Sequence, residues 1–214
     1  MRHNPAYATD DEQVVRRIIA ENPWGMIVSH HDGDLVASHY PMLLDEDADG
    51  LTIVTHVGRP DEQLHGLGES EVLLVFQGPH GYISPSWYAP AAGRIPTWDF
   101  STVHCHGTPQ VLGEEENLAV LTQLTAHFEQ HVEHPAWLDQ ELGARAAKGT
   151  VGLRIPVDRF TAKVKMSQDK DPATVQSVID HLRAPGPYHQ PYLADEIERA
   201  RTEHVGSASA DHEG

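Results

Sequence analysis

His127, His131 and His134 are spaced i, i+4 and i+7 in this 214-residue chain. That spacing predicts one face of a helix, as a metal site on a helix needs. Their neighbours Glu129, Glu133 and Pro135 fit a solvated helix end equally well, and a metal site would need ligands from elsewhere. His104 and His106 flank Cys105 in a strand-like stretch, so the imidazoles share one face and the thiol takes the other. With no second cysteine there, packing is the simpler expectation. Ser86, His104 and Asp99 supply the residue types of a hydrolase triad. Ser86, however, follows Pro85 in a loop and lies in no Gly-x-Ser-x-Gly turn. The glycine patterns of dinucleotide folds and phosphate-binding loops are absent from the sequence.

Two stretches say more. Thr55-His56-Val57-Gly58-Arg59-Pro60-Asp61-Glu62-Gln63-Leu64 predicts a strand end running into a helix. Backbone N–H groups at such a start, with Thr55 and Arg59 adjacent, form an anion cradle suited to a phosphate. Asp61 and Glu62 would repel that phosphate unless they face away. Ile83-Ser84-Pro85-Ser86-Trp87-Tyr88 and Ile95-Pro96-Thr97-Trp98-Asp99-Phe100 gather aromatics around prolines. Trp87 and Trp98 as flat walls, with Ser84 and Thr97 as hydroxyls, suit a planar cofactor or small-molecule ligand. The plain alternative is a loop anchored by tryptophan packing.

The elements that must position these groups follow from hydrophobic period. Asp10-Asp11-Glu12 with Val14, Val15, Ile18 and Ile19 predicts a capped helix. Trp24–Ser29 and Leu35–Leu44 predict a hairpin across a turn at 30–34, and Leu51–His56 a further strand. Glu71–Gln77 reads as a buried strand, Gly78–Gly81 as a turn, Pro85–Pro96 as a loop and Thr97–Leu112 as one strand. A helix from Glu114 carries Leu118, Leu121, Leu124 and Phe128 on one face. Val151–Ile155 and Phe160–Met166 close the strand set. Helices follow at Pro172–Leu182 and Tyr192–Arg201. The pattern predicts an α+β class with a barrel-like sheet, one domain over 1–201 and a disordered tail over 202–214.

Fifteen Lys and Arg against 32 Asp and Glu give a net charge of −17, which opposes DNA and anionic membranes. Cys105 cannot bridge internally. The polar start and the lack of a long apolar run predict a soluble, cytoplasmic protein.

Phe76-Gln-Gly-Pro-His-Gly-Tyr-Ile-Ser-Pro-Ser-Trp-Tyr88, Pro96-Thr-Trp-Asp-Phe100 and Lys165-Met-Ser-Gln168 resemble the signature blocks of the PaiB family. The family is described as FMN-binding negative transcriptional regulators. The His39-x-Pro41 strand and the Trp98–Gly107 stretch agree, and the likeness runs from Asp10 to Leu182. The resemblance implies a flavin-reductase-like split β-barrel with peripheral helices, forming a homodimer with the cofactor at its interface. It implies that Thr55–Leu64 holds the FMN phosphate. Many relatives carry an Ala-Asn-Pro-His-Trp type stretch after the histidine. Pro60–Leu64 stands here instead, which predicts an altered phosphate pocket. The family also contains haem-dependent piperazate synthases, whose axial histidine aligns with His56, making His56 the metal ligand if haem is bound. Lys165, Ser167 and Gln168, at a strand end, are the remaining cofactor-binding candidates. The readings to separate are an FMN-binding regulator, a haem enzyme (synthase or oxygenase) and a flavin reductase. No predicted helix carries a basic stripe, so direct DNA binding is not expected.

Overall fold

The computed structural model describes residues 1, 4–88 and 95–210. Contacts between its residues cluster into two compact units. The first comprises 1–9, 77–102 and 162–214, the second 10–76 and 103–161.

In the second unit, helix α1 (Glu12–Glu21) begins where Asp11 accepts a hydrogen bond from the Gln13 N–H at 2.8 Å. It buries Val15, Ile18 and Ile19 and stops at Asn22-Pro23. Strands β2 (Trp24–His31) and β3 (Asp34–Leu44) pair antiparallel through Asp32-Gly33. Both turn residues have positive φ (51° and 88°), so the loop is the two-residue Asp-Gly turn whose twist matches a hairpin. This narrows the predicted five-residue turn. Strand β4 (Thr52–Gly58) lies between β3 and β8 (Thr150–Pro156), and β7 (Gln110–Val111) pairs with the far side of β8. Helix α2 (Asp61–Leu64) is a single turn after β4. Helix α3 (Glu114–Glu129) covers this sheet, packing Val120 and Leu124 on Leu43 and Val54. Cys105 is fully buried in β6 (Thr97–Gly107), which pushes its thiol up to about 12 and leaves it inert at neutral pH.

In the first unit, β1 (Ala8–Thr9) pairs with the end of β9 (Arg159–Lys165). Helices α5 (Pro172–Arg183) and α6 (Pro191–Ala210) pack Val178, Ile179, Leu182 and Ile197 against Ile83, Trp87 and Met166. Asp171 caps α5, taking the Thr174 N–H at 3.0 Å and its hydroxyl at 2.7 Å.

Several expectations change. Gly78–Gly81 is not a turn, because β5 (Val72–Ile83) runs straight through it. Burial alternates on even residues to Gly78 and on odd ones from Gly81, so the Gly-Pro-His-Gly signal marks a bulge-like slip in phase. The predicted strand to Leu112 breaks at Thr108-Pro109. The three-histidine face does not form. Helix α3 ends at Glu129, where Gln130 Nε2 caps the His127 carbonyl and Glu129 accepts the Ala136 N–H, so His131 and His134 lie beyond it. Among the described residues no group of three His, Cys, Asp or Glu could hold a metal ion. Helix α4 (Gln140–Lys148), capped by Asp139, escaped prediction because Gly143 is its single buried residue and leaves no apolar stripe. Helix α6 continues to Ala210, past the boundary expected at 201, since the preceding Glu, Ala and Arg residues propagate helix. Residues 89–94 of the predicted loop and the tail's 211–214 lie outside the described residues.

Candidate functional site

In the first unit, Lys165 and Ser167 of the third sequence block meet Asp99 of the second. Lys165 Nζ donates to Thr97 Oγ1 at 2.6 Å, the Trp98 carbonyl at 2.6 Å and Asp99 Oδ1 at 3.2 Å. An ammonium has three N–H donors, and all three are engaged. Ser167 Oγ donates to the other Asp99 oxygen. Ser167 does so from φ 55°, a left-handed backbone that a serine adopts at some cost. Asp99 is fully buried, and burial holds its carboxyl above the ordinary range despite Ser167 and Lys165. The constellation joins the ends of β6 and β9 and lines a cleft of ≈ 250 Å³ with Tyr7, Tyr88 and Lys170. It leaves Lys165 no donor for an anion. Gln168 is likewise engaged: its Oε1 accepts the Met166 N–H at 2.6 Å and its Nε2 donates to the Val164 carbonyl at 2.8 Å. Ser84 caps the 3₁₀ turn Pro85–Trp87 and bonds Ser86 Oγ at 2.8 Å. With Ser86 and both Asp99 oxygens so committed, no hydrolase triad is assembled around them.

The two tryptophans divide. Trp87 is buried, stacked on His181 with ring centroids 5.2 Å apart, and acts as core. Trp98 is 54% exposed, stacked on His80 and edge-on to Tyr82, so it keeps an aromatic face open.

In the second unit, the turn after β4 differs from the expected cradle. The Gly58 N–H donates to Tyr40 Oη at 3.2 Å, the Arg59 N–H to the Gly149 carbonyl at 3.0 Å, and Pro60 has no N–H. Thr55 Oγ1 donates to the Pro41 carbonyl at 2.7 Å. The Gly58 and Arg59 donors are therefore taken up within the fold, and the Arg59 guanidinium is the cationic group of this turn. Arg59 is half-exposed and paired with Glu62 at 2.7 Å. Asp61 does face away, accepting from Ser38 at 2.8 Å and Tyr40 at 2.6 Å, which hold its carboxyl below its ordinary range. His56 is half-buried beside the Tyr40 ring. Its Nδ1 is buried with no hydrogen-bond partner, and burial lowers its pKa so that the ring is neutral at pH 7.

Sequence reading passed over the neighbours that hold this turn. His65 is buried, with Nδ1 2.8 Å from Ser29 Oγ and Nε2 3.0 Å from Ser38 Oγ. The chain Ser29–His65–Ser38–Asp61–Tyr40–Gly58 thus runs from β2 to the end of β4. No spacing rule finds it, since its members come from four elements. Burial lowers the pKa of His65, partly countered by Asp61. A base whose folded pKa lies below its unfolded one binds fewer protons when folded, so its share of stability is full above about pH 6.5 and fades as pH falls toward the folded value. His56, His65 and His104 all shift this way. Urea unfolding should therefore show lower stability at pH 5.5 than at 7.5, and His65→Asn should shrink that difference. An equal difference in the variant would remove His65 from the account.

Residues 1–159 match the family described as "Putative FMN-binding domain". The protease synthase and sporulation protein PAI 2 of Bacillus subtilis is 30% identical over 181 residues, covering 83% of this chain and 86% of its own. An uncharacterized protein of Emericella nidulans is 24% identical over 78% of this chain and 84% of its own. Among solved structures, the FAD and haem binding protein of Mycobacterium smegmatis superposes with a TM-score of 0.58 at 14% identity, over 74% of this chain and 73% of that one. The flavocytochrome Anf3 of Azotobacter vinelandii gives 0.56 at 13% identity, over 74% and 69%. At such identities these two likenesses concern the fold, which is the α+β flavin-reductase-like split barrel. With the family match spanning most of its length and PAI 2 aligned nearly end to end, the chain belongs to the FMN-binding-domain family of the PaiB proteins.

Proposed function

We propose that the protein binds FMN and works as a PaiB-type flavin-binding protein. The family match over residues 1–159 carries this reading, because it spans the whole β4–α2 turn with His56 and Arg59. The residues fit FMN at two points. The Arg59 guanidinium would meet the phosphate, and the neutral His56 ring, with a buried nitrogen lacking a partner, would meet a polar edge of the cofactor. Bound flavin would supply one- or two-electron chemistry, and the protein orientation and electrostatics. Thr55, Lys165, Ser167 and Gln168 act as positioning residues in this reading, since their polar groups are engaged within the fold.

The unpartnered Nδ1 of His56 favours haem as the second reading, in which His56 would hold the iron. The absorption spectrum of the purified protein separates the two. Flavin bands support the first; a Soret band that shifts in His56→Ala supports the second and removes the first.

We further propose that the protein is cytoplasmic and dimeric, with the cofactor near the interface. A single buried cysteine supports the first point. Trp24 and Leu35, 65% and 78% exposed on the β2–β3 hairpin, support the second, and light scattering at one-chain mass would remove it. No helix of the described residues is long and apolar enough to cross a membrane. A regulatory role would run through a partner or metabolite rather than direct DNA readout, given the net charge of −17. A gel shift persisting at physiological salt would contradict that.

A further inference from the structure

A cavity in the second unit is bounded by the β4–α2 turn, through Arg59 and Glu62, and by α3, α4 and β8. It has a volume of ≈ 690 Å³, within the range of about 300–1,000 Å³ usual for small-molecule sites. Leu112, Leu118, Ala147 and Val151 give it an apolar wall, and Glu62 and Asn117 are among its polar lining. Asn117 is 5% exposed. Its Nδ2 faces three acceptors, the Ala147 carbonyl at 3.1 Å and the Thr150 carbonyl and hydroxyl at 3.3 Å. Those partners fix the amide orientation, because flipping it would set oxygen against oxygen. The Asn117 Oδ1 is left buried with no donor.

Glu62 repeats the pattern independently. Its Oε1 pairs with Arg59, while its Oε2 is buried with no partner. Both unanswered atoms are acceptors, so the missing group is a donor. Charge agrees: Glu62, Glu114 and Glu115 outnumber Arg59 and Lys148 in the lining. The acids in the first turn of α3 also cancel the positive end of that helix, which would otherwise favour an anion. No metal-holding group of three is present among the described residues, so an organic donor fits better than a bare cation.

We propose that this cavity binds a small organic ammonium compound with an apolar body, its N–H donors meeting Glu62 and Asn117 and its body the wall of α3 and β8. This goes beyond the flavin reading: the cavity shares Arg59 with it but is argued from Glu62 and Asn117, and the ammonium titration reads it separately from FMN binding.

The test titrates 2-phenylethylammonium into the full chain by calorimetry, with 2-phenylethanol and 3-phenylpropionate as probes of equal shape. Saturable binding of the ammonium, with both controls at least about tenfold weaker, is expected, as a charge-assisted bond demands. Glu62→Gln should weaken the ammonium by about tenfold, because it removes the charge and keeps the shape. Ala144→Phe, at an exposed lining position, should abolish binding with the melting temperature unchanged. Absence of saturable binding, equal binding of the three probes, or full binding by either variant would overturn the proposal.

Discussion

Asp99→Ala should be the most destabilising single change at the sequence blocks. It removes the acceptor of both the Ser167 hydroxyl and the Lys165 ammonium, leaving a cation 16% exposed without its ion-pair partner. Breaking a buried pair from one side costs about 3–5 kcal/mol. For a chain of this length that lowers the melting temperature by roughly 6–20 °C. Asp99→Asn should cost much less. Burial already raises the Asp99 carboxyl, so the ionised form carries a desolvation cost that the amide avoids. The amide can still accept from Lys165 and donate to Ser167. Calorimetric melts of both variants settle the matter, and equal losses would show that the carboxylate charge itself is what holds the strand ends.

Gly107→Ala should be the second large effect, in the other unit. A Cβ built there meets the Pro156 carbonyl oxygen at 2.1 Å and the Pro156 carbonyl carbon at 3.1 Å. Both atoms are backbone and cannot swing aside, so β6 and β8 must separate. The cost falls at or above the top of the ~1–3 kcal/mol typical of overpacking. Urea unfolding measures it; a variant within 0.5 kcal/mol of wild type, roughly the scatter of surface changes, would show that the strands part freely.

These two positions show what was legible beforehand. The Lys165-Met-Ser-Gln168 block stood out by resemblance, but spacing could not reveal that Asp99, 66 residues away, takes up its cation. Hydrophobic period found α1, the β2–β3 hairpin, β4, β8, β9 and α5, because each has a strong apolar pattern and a clear cap or turn. It missed α4, which lacks a stripe, and it read the phase slip in β5 as a turn, because Gly and Pro mark both. At the β4–α2 turn the sequence named His56 and Arg59, and the structure shows a half-exposed guanidinium and a buried, unpartnered ring nitrogen there. The sequence also promised backbone donors that Tyr40 and Gly149 in fact occupy. His65, Ser29 and Ser38 went unseen, since a buried polar chain assembled from separate elements has no local signature.

The altered segment after His56 also acquires a physical meaning. Asp61 is turned inward by Ser38 and Tyr40, and Glu62 sits on Arg59, so neither acid stands open toward a phosphate. The charge that repels in sequence is absorbed in structure. The Arg59 side chain is the cation of this turn, which makes that residue the sharpest handle on the cofactor reading.

The direct measurement is therefore titration of the flavin-free protein with FMN, followed by quenching of flavin fluorescence, for wild type and Arg59→Ala. The account predicts saturable binding of one FMN per chain, weakened about tenfold or more when the guanidinium is removed. Binding of equal strength in the two proteins would take the phosphate away from Arg59, and no saturable binding by the wild type would contradict the flavin reading itself.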